Sequence, residues 1–412
     1  MRKGLLLLPL LFMLGSLARL TALPLNAQAS PPEKKVKREK FGSSLKRLKW
    51  DAKQHALIDT AKKDDSRSDS EEPIKLKTLL VEFDTLVVER ATLRVINGLT
   101  KDDFIVTEDD QPQQVSTFML SDDESLPRSI VLIIDWSASQ IPYFDKSLAA
   151  ARSLINRLGQ RDEIAIVTDD VELMVDFTRD KARLNSELDS FAKRTKAGRE
   201  PKNRKFQGRS RQFSALFATL REMASDPEKR PIIIFQTDGD EAPRFRDQVK
   251  IGLPSPNAPA YGLNDIYAAA EKSRATIYSV ITNERLAGLD DDELYQRGRK
   301  MLEAINPNIL NGPHAPPEQA IRLHMSNLAK GQMAMVEVAN LTGGWAEYLE
   351  DPEDAQAIYA QILTDINQRY VIGYYPTNKN RDGGLRHVKI AVRDHPEYQT
   401  LGRKLYYAPS EQ

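Results

Sequence analysis

Two aspartates and two serines stand where oxygen ligands are most easily gathered. Asp135, Ser137 and Ser139 follow directly on the apolar run at 130–134, and Asp238, within Thr237-Asp238-Gly239, follows the strand-like run Ile232 to Gln236. If both runs are neighbouring strands of one parallel sheet, their carboxyl ends open on a common crevice, the place where open α/β sheets bind ligands. Two carboxylates with hydroxyls beside them suit a hard divalent cation such as Mg²⁺, which prefers oxygen and gives up its water reluctantly. Hydroxyls are neutral, so much of the ion's charge stays uncompensated, and an open coordination position then attracts a carboxylate from another protein. That is the chemistry of adhesion rather than of turnover. The plainer alternative is that Asp135 and Asp238 only cap loops or helix starts, a common use of aspartate.

The surrounding pattern supplies the elements that would position these residues. After Pro127, a short continuous apolar run at 130–135 and strand-like runs at 231–237 and 276–282 alternate with helical spacing at 146–158, 181–191, 214–224 and 266–274. A close strand pair is expected at 163–168 and 171–177 across Asp169-Asp170, with a short strand at 345–348 and a helix at 352–366. Such alternation predicts a doubly wound, Rossmann-like α/β sheet over residues 127–368. Residues 283–318, with Asp290-Asp291-Asp292-Glu293 and several prolines, read as an insertion on one rim of the sheet. Strand texture at 76–126 and again at 369–412 predicts a β-rich unit built from the segments before and after the α/β domain.

With those elements in place, the chain resembles the von Willebrand factor type A (VWFA) family, whose metal-ion-dependent adhesion site uses Asp-x-Ser-x-Ser, a threonine on a second loop and the aspartate of Thr-Asp-Gly. Asp135, Ser137, Ser139 and Asp238 match residue by residue. The resemblance implies that Ser214, opening Ser214-Ala215-Leu216-Phe217-Ala218-Thr219-Leu220, takes the place of the threonine; a hydroxyl is kept while the usual glycine-rich lead-in is missing. Ala138 stands where many members have glycine. The flanks Gly98-Leu99-Thr100-Lys101-Asp102-Asp103-Phe104 and Arg369-Tyr370-Val371-Ile372-Gly373-Tyr374-Tyr375-Pro376 resemble those of a bacterial VWFA-related branch frequent in acidobacteria, and extend the likeness over residues 76–408. It implies a Mg²⁺ site, open also to Mn²⁺ or Ca²⁺, and a protein partner that presents an acidic side chain to the metal.

Residues 1–29 read as a secretory signal peptide: Arg2 and Lys3, the apolar run 4–14, then Ala27-Gln28-Ala29 before Ser30. The run falls short of the roughly 20 residues a spanning helix needs, so an exported protein, periplasmic or extracellular, is expected, with no membrane span after cleavage. Residues 30–75, basic over 33–49 and acidic with serine over 64–72, read as a flexible charged linker with at most a short helix near 45–58. With Arg2, Lys3 and Arg19 removed, 56 basic residues face 59 acidic ones, a balance that points away from nucleic acid. The absence of cysteine excludes disulfides, thiolate metal sites and cysteine nucleophiles, and the five scattered histidines fit no zinc spacing.

Several residues carry two readings. The basic stretch 193–211 either steers an acidic partner or is a solvated loop. Asp240 and Glu241 read as surface acids, Asp290 to Glu293 as acids without the pattern of a calcium loop, and Trp136 as packing against the neighbouring loop. With neither a Gly-x-Ser-x-Gly elbow nor a phosphate-cradling loop, a binding module is expected. A structural envelope protein with a vestigial site and a metal-dependent enzyme or enzyme subunit are the alternatives.

Overall fold

The computed structural model describes residues 41–51, 53–60, 80–120, 127–198, 210–224, 230–241, 245, 259–313 and 315–410. In chain order the first elements are α1 (Ser43–Lys46), β1 (Leu48–Asp51), β2 (Ala56–Asp59), β3 (Val81–Glu89), β4 (Phe104–Glu108), β5 (Gln111–Gln113) and β6 (Val115–Leu120). There follow β7 (Arg128–Ile134), α2 (Ile141–Arg157), β8 (Glu163–Thr168), β9 (Glu172–Thr178), α3 (Lys181–Gly198), α4 (Gln212–Glu222), β10 (Arg230–Thr237), α5 (Leu263–Lys272) and β11 (Thr276–Thr282). The last are α6 (Asp291–Ile305), α7 (Glu318–Leu341), β12 (Ala346–Leu349), α8 (Ala355–Gln368), β13 (Tyr370–Tyr374), β14 (Leu385–Val392), β15 (Tyr398–Gly402) and β16 (Leu405–Tyr407).

Every residue of β7 and of β11 is buried, as a strand covered on both faces requires. Six strands form one sheet in the order β12-β11-β10-β7-β8-β9, all pairs parallel except β8 with β9. Alternate residues divide between two cores. Ile130, Leu132 and Ile134 face Leu148, Leu154, Leu188, Phe191 and Ile362 from α2, α3 and α8. Val131, Ile133 and Phe235 face Phe213, Phe217, Ile266 and Met335 from α4, α5 and α7. Helices thus cover both faces of a doubly wound α/β sheet, and its winding reverses between β7 and β10.

Chain from both sides of the α/β region builds a second layer pair. β3 and β6 pair with β13, and β3 with β15, while β4 pairs with β14. Two four-stranded sheets result, β15-β3-β13-β6 and β16-β14-β4-β5. Phe83, Val87, Phe104, Val106, Tyr370, Ile372 and Tyr374 fill the core between them. The buried Glu108 carboxylate accepts hydrogen bonds from the Tyr374 and Tyr406 hydroxyls at 2.8 and 2.9 Å, so neutral donors hold this acid within the core.

Two expectations about these elements differ from the structure. Residues 41–60 are not extended linker: α1 is one turn, β1 and β2 form an antiparallel hairpin, and Leu45 and Leu48 are buried in the α4 core. The Glu222 carboxylate at the end of α4 fastens them by accepting from the Gly42 and Ser44 amides, each at 3.0 Å, and from the Ser44 hydroxyl. The remaining linker residues, 30–40 and 61–75, and the signal segment 1–29 lie outside the described residues. The rim insertion is largely helical, and α7, for which no helix was expected, packs against α6 through Leu294, Ile321, Met325 and Leu328. The acidic run 290–293 is exposed, as expected of surface acids, and starts a helix. Asp290 accepts from the Asp292 and Glu293 amides, and Glu293 accepts from the Asp290 amide, a reciprocal capping pattern. No helix among the described residues is long and apolar enough to cross a membrane.

Candidate functional site

Parallel pairing of β7 with β10 sets Ile134 opposite Gln236, so Asp135 and Asp238 leave the sheet side by side at the point where the winding reverses. The Asp135 amide still donates to Gln236 O at 3.1 Å. Beyond it the chain curls at once, because the Ser137 amide donates to Asp135 Oδ1 at 2.9 Å. Asp135 Oδ2 accepts from Thr237 Oγ1 at 2.7 Å, which ties the two strand ends together. Ser137 Oγ and Ser139 Oγ lie 3.1 Å apart. Asp238 Oδ1 accepts from the Asp240 amide at 3.1 Å, a turn that Gly239 makes with φ +87°. Asp135, Ser137 and Asp238 are buried and Ser139 is exposed, so the oxygens form a pit with one open side.

A third acid stands against this pair. Asp169, at the β8–β9 turn, is fully buried; its Oδ1 accepts from the Trp136 amide at 3.2 Å and its Oδ2 from the Ser210 amide at 2.8 Å. Burial pushes the Asp135 carboxyl well above the ordinary range, and the neighbouring Asp169 and Asp238 push it further. Burial likewise raises Asp238, while bonds from Ser139, Asp240 and Gln140 oppose the rise. Asp169 is pushed up to about 7, first by burial and then by Asp170. Like charges this close are tolerated only with protons or a cation among them. Among the described residues, no three His, Cys, Asp or Glu side chains are gathered as a metal cluster. The donor set that fits a divalent ion here is therefore two carboxylates, Asp135 and Asp238, with the hydroxyls of Ser137 and Ser139. Asp169 spends both oxygens on backbone amides and supports the loop instead.

Four of the five residues named from the sequence meet at this pit. The fifth, Ser214, is engaged elsewhere in the first turn of α4. Its hydroxyl donates to Glu241 Oε1 at 2.6 Å and accepts from Tyr261 Oη at 2.9 Å, and these bonds stand in place of any to Asp135, Ser137, Ser139 or Asp238. Glu241 is buried, not a surface acid: its Oε2 caps the helix by accepting from the Phe213 amide at 2.8 Å. Burial pushes its carboxyl up to about 8. Asp240 is half-buried. Trp136 packs its ring 5.3 Å from Phe191, with the Arg194 guanidinium 6.0 Å over it. Of the basic stretch, Lys193 and Arg194 lie in the last two turns of α3 and are exposed, and residues 199–209 lie outside the described residues.

Sequence reasoning did not assign Gln140, Asp169, Thr282 or Asn283. The buried Gln140 accepts from Thr282 Oγ1 at 2.9 Å and reaches Ser139 Oγ at 3.5 Å. Asn283, in the left-handed region with φ +76°, directs its amide to Asp238 Oδ2 at 3.4 Å. The available signal was position: each of these but Gln140 sits at the carboxyl end of a strand flanking the β7–β10 pair.

No protein-family model and no curated protein matches the chain. Solved structures do. A conserved hypothetical protein, BatB, from Bacteroides thetaiotaomicron aligns at 14% identity over 58% of this chain and 98% of its own, with a TM-score of 0.32. The vWF domain of the type V pili tip protein Mfa5 from Porphyromonas gingivalis aligns at 12% identity over 59% and 95%, with a TM-score of 0.31. The manganese-loaded Plasmodium vivax TRAP protein aligns at 11% identity over 74% and 100%, with a TM-score of 0.31. The strand order and the helices on both faces define a doubly wound α/β fold with a flanking β-rich unit.

Proposed function

We propose that this is an exported protein of the bacterial VWFA-related type. In this reading it binds a divalent cation at Asp135, Ser137, Ser139 and Asp238 and uses that ion to hold an acidic side chain of a protein partner. One observation carries the reading: two buried carboxylates, crowded by a third, open through a pair of hydroxyls onto an exposed rim. Mg²⁺ suits such a set, with Mn²⁺ or Ca²⁺ as substitutes. When bound, the ion supplies a positive charge with an open position toward solvent. The chain's own residues orient it. Thr237 and the Ser137 amide fix the Asp135 carboxylate, Gln140 and Asn283 support Ser139 and Asp238, and Asp169 braces the loop from below. Ser214 is a reserve hydroxyl in this reading, joining the ligands only when its bond to Glu241 is given up.

Calorimetric titration of residues 30–412 with Mg²⁺ and with Mn²⁺ tests the cation. Saturable binding is expected for the wild type and none for a folded Asp135→Ala, Asp238→Ala variant; identical heats from the two would sink the reading. Export has its own check. Intact mass of the protein recovered from the envelope or medium of an expressing bacterium is expected to begin at Ser30, and recovery of an uncleaved chain in the cytoplasm would count against it.

A further inference from the structure

The helix α7 runs directly over the loop that carries Asp238. Gly331 and Gly239 meet backbone to backbone: a methyl group on Gly239 would lie 2.7 Å from Gly331 C and 2.9 Å from Gln332 N, and one on Gly331 would collide with the Gly239 carbonyl. The next residue, Gln332, is fully buried and bonded at both ends of its amide. Its Nε2 donates to Glu284 O at 2.9 Å, and its Oε1 accepts from the Leu286 amide at 2.8 Å. The segment so held begins with Asn283, whose side chain reaches Asp238. One turn of α7 therefore touches the Asp238 loop by two routes, through Gly239 directly and through residues 283–286.

We infer that Gly331 and Gln332 are positioning residues for the cation loop, so that the α6–α7 pair sets how Asp238 is presented. The inference rests on the cation reading above for its affinity readout, and on geometry alone for its structural one. Neither residue is a ligand. A glycine is required at 331 because any side chain there must push α7 off the loop or the loop off its bonds. Gln332 is required because its two bonds to backbone fasten residues 284–286 to α7. By linkage, a cation that orders the Asp238 loop in turn steadies α7.

The same helix pair offers its own control. Gly298 of α6 is also tight, but against side chains rather than backbone: a methyl group there would lie 2.6 Å from Ile321 Cγ2 and 2.7 Å from Met325 Cγ, within the α6–α7 core. The test compares wild type, Gly331→Ala, Gln332→Ala and Gly298→Ala as the mature chain, by hydrogen exchange without cation and by Mn²⁺ calorimetry. Gly331→Ala or Gln332→Ala is expected to speed exchange at least about tenfold at the Gly239 and Asp240 amides, which bond to Thr237 and Asp238. Mn²⁺ affinity is expected to fall by about tenfold or more, whereas Gly298→Ala stays within about twofold of wild type in both. Should Gly331→Ala not fold, Gln332→Ala decides, since it removes two bonds and adds no bulk. Unchanged exchange at Gly239 and Asp240 overturns the inference, as does an equal effect from Gly298→Ala. A wild type that takes up no Mn²⁺ overturns the cation reading alone, because the exchange comparison still decides whether α7 positions the loop.

Discussion

Without added cation, the protein is expected to melt at a lower temperature at pH 8 than at pH 5. Four buried carboxyls carry the effect: Asp135 is raised by burial and by its acidic neighbours, Asp238 by burial, Asp169 to about 7 and Glu241 to about 8. Each binds its proton more tightly folded than unfolded, where the ordinary values are 3.8 for aspartate and 4.5 for glutamate. Their contribution is therefore fully present below about pH 4 and is lost as the pH climbs through about 7 and about 8. Each tenfold gain in proton affinity on folding is worth about 1.4 kcal/mol, so Asp169 and Glu241 alone amount to several kcal/mol, and Asp135 and Asp238 act in the same direction. Two changes should narrow the difference. Saturating Mg²⁺ replaces protons with a charge that stays at pH 8, and Glu241→Gln removes the group raised to about 8 while keeping an acceptor for the Phe213 amide. Scanning calorimetry at the two pH values decides it: a melting temperature that is flat or rises from pH 5 to pH 8 would contradict the crowding of acids at the rim.

Replacing Arg369 with Leu is expected to lower the unfolding free energy by about 3–5 kcal/mol, as breaking a buried ion pair does. The guanidinium is buried between α8 and β13, where Nε and Nη2 bond Asp365 at 2.7 and 3.0 Å and Nη1 reaches Asp84 O at 3.4 Å on β3. Its planar head also lies 5.7 Å over the Tyr278 ring of β11. One side chain thereby joins the α/β sheet to the β-rich unit. Its loss leaves the Asp365 charge buried, with the neutral Trp345 Nε1 donating at 2.7 Å. Chemical denaturation measures the cost. Adding Asp365→Leu to the variant should recover part of it, because the stranded carboxylate rather than the missing attraction is the larger penalty. A double variant no more stable than Arg369→Leu alone would place the effect in packing instead.

Much of the arrangement was legible along the chain because it is local or periodic. Uninterrupted apolar runs ending in aspartate read as buried strands with polar ends, and that gave the sheet, the alternation of helices and the places of Asp135, Ser137, Ser139 and Asp238. The apolar positions of α7, at 321, 325, 328, 335 and 338, follow helical spacing as well. They were obscured by a preceding stretch of prolines and acids that reads as loop. The one-turn α1 and the hairpin after it were hidden differently, since their burial depends on Glu222, 180 residues away from Gly42.

What only the tertiary structure decided is which oxygens keep company. Ser214 and Asp135 are alike in sequence terms, a polar residue beside an apolar element, yet one hydroxyl is taken by Glu241 and Tyr261 while the other residue faces two more acids. Asp169, Gln140 and Asn283 become part of the site only because β8 and β11 flank the β7–β10 pair and end at the same rim. Periodicity, and the chemistry each strand end can offer, are written along the chain. The order of strands in the sheet, set by packing two apolar faces under helices, decides which of those ends meet.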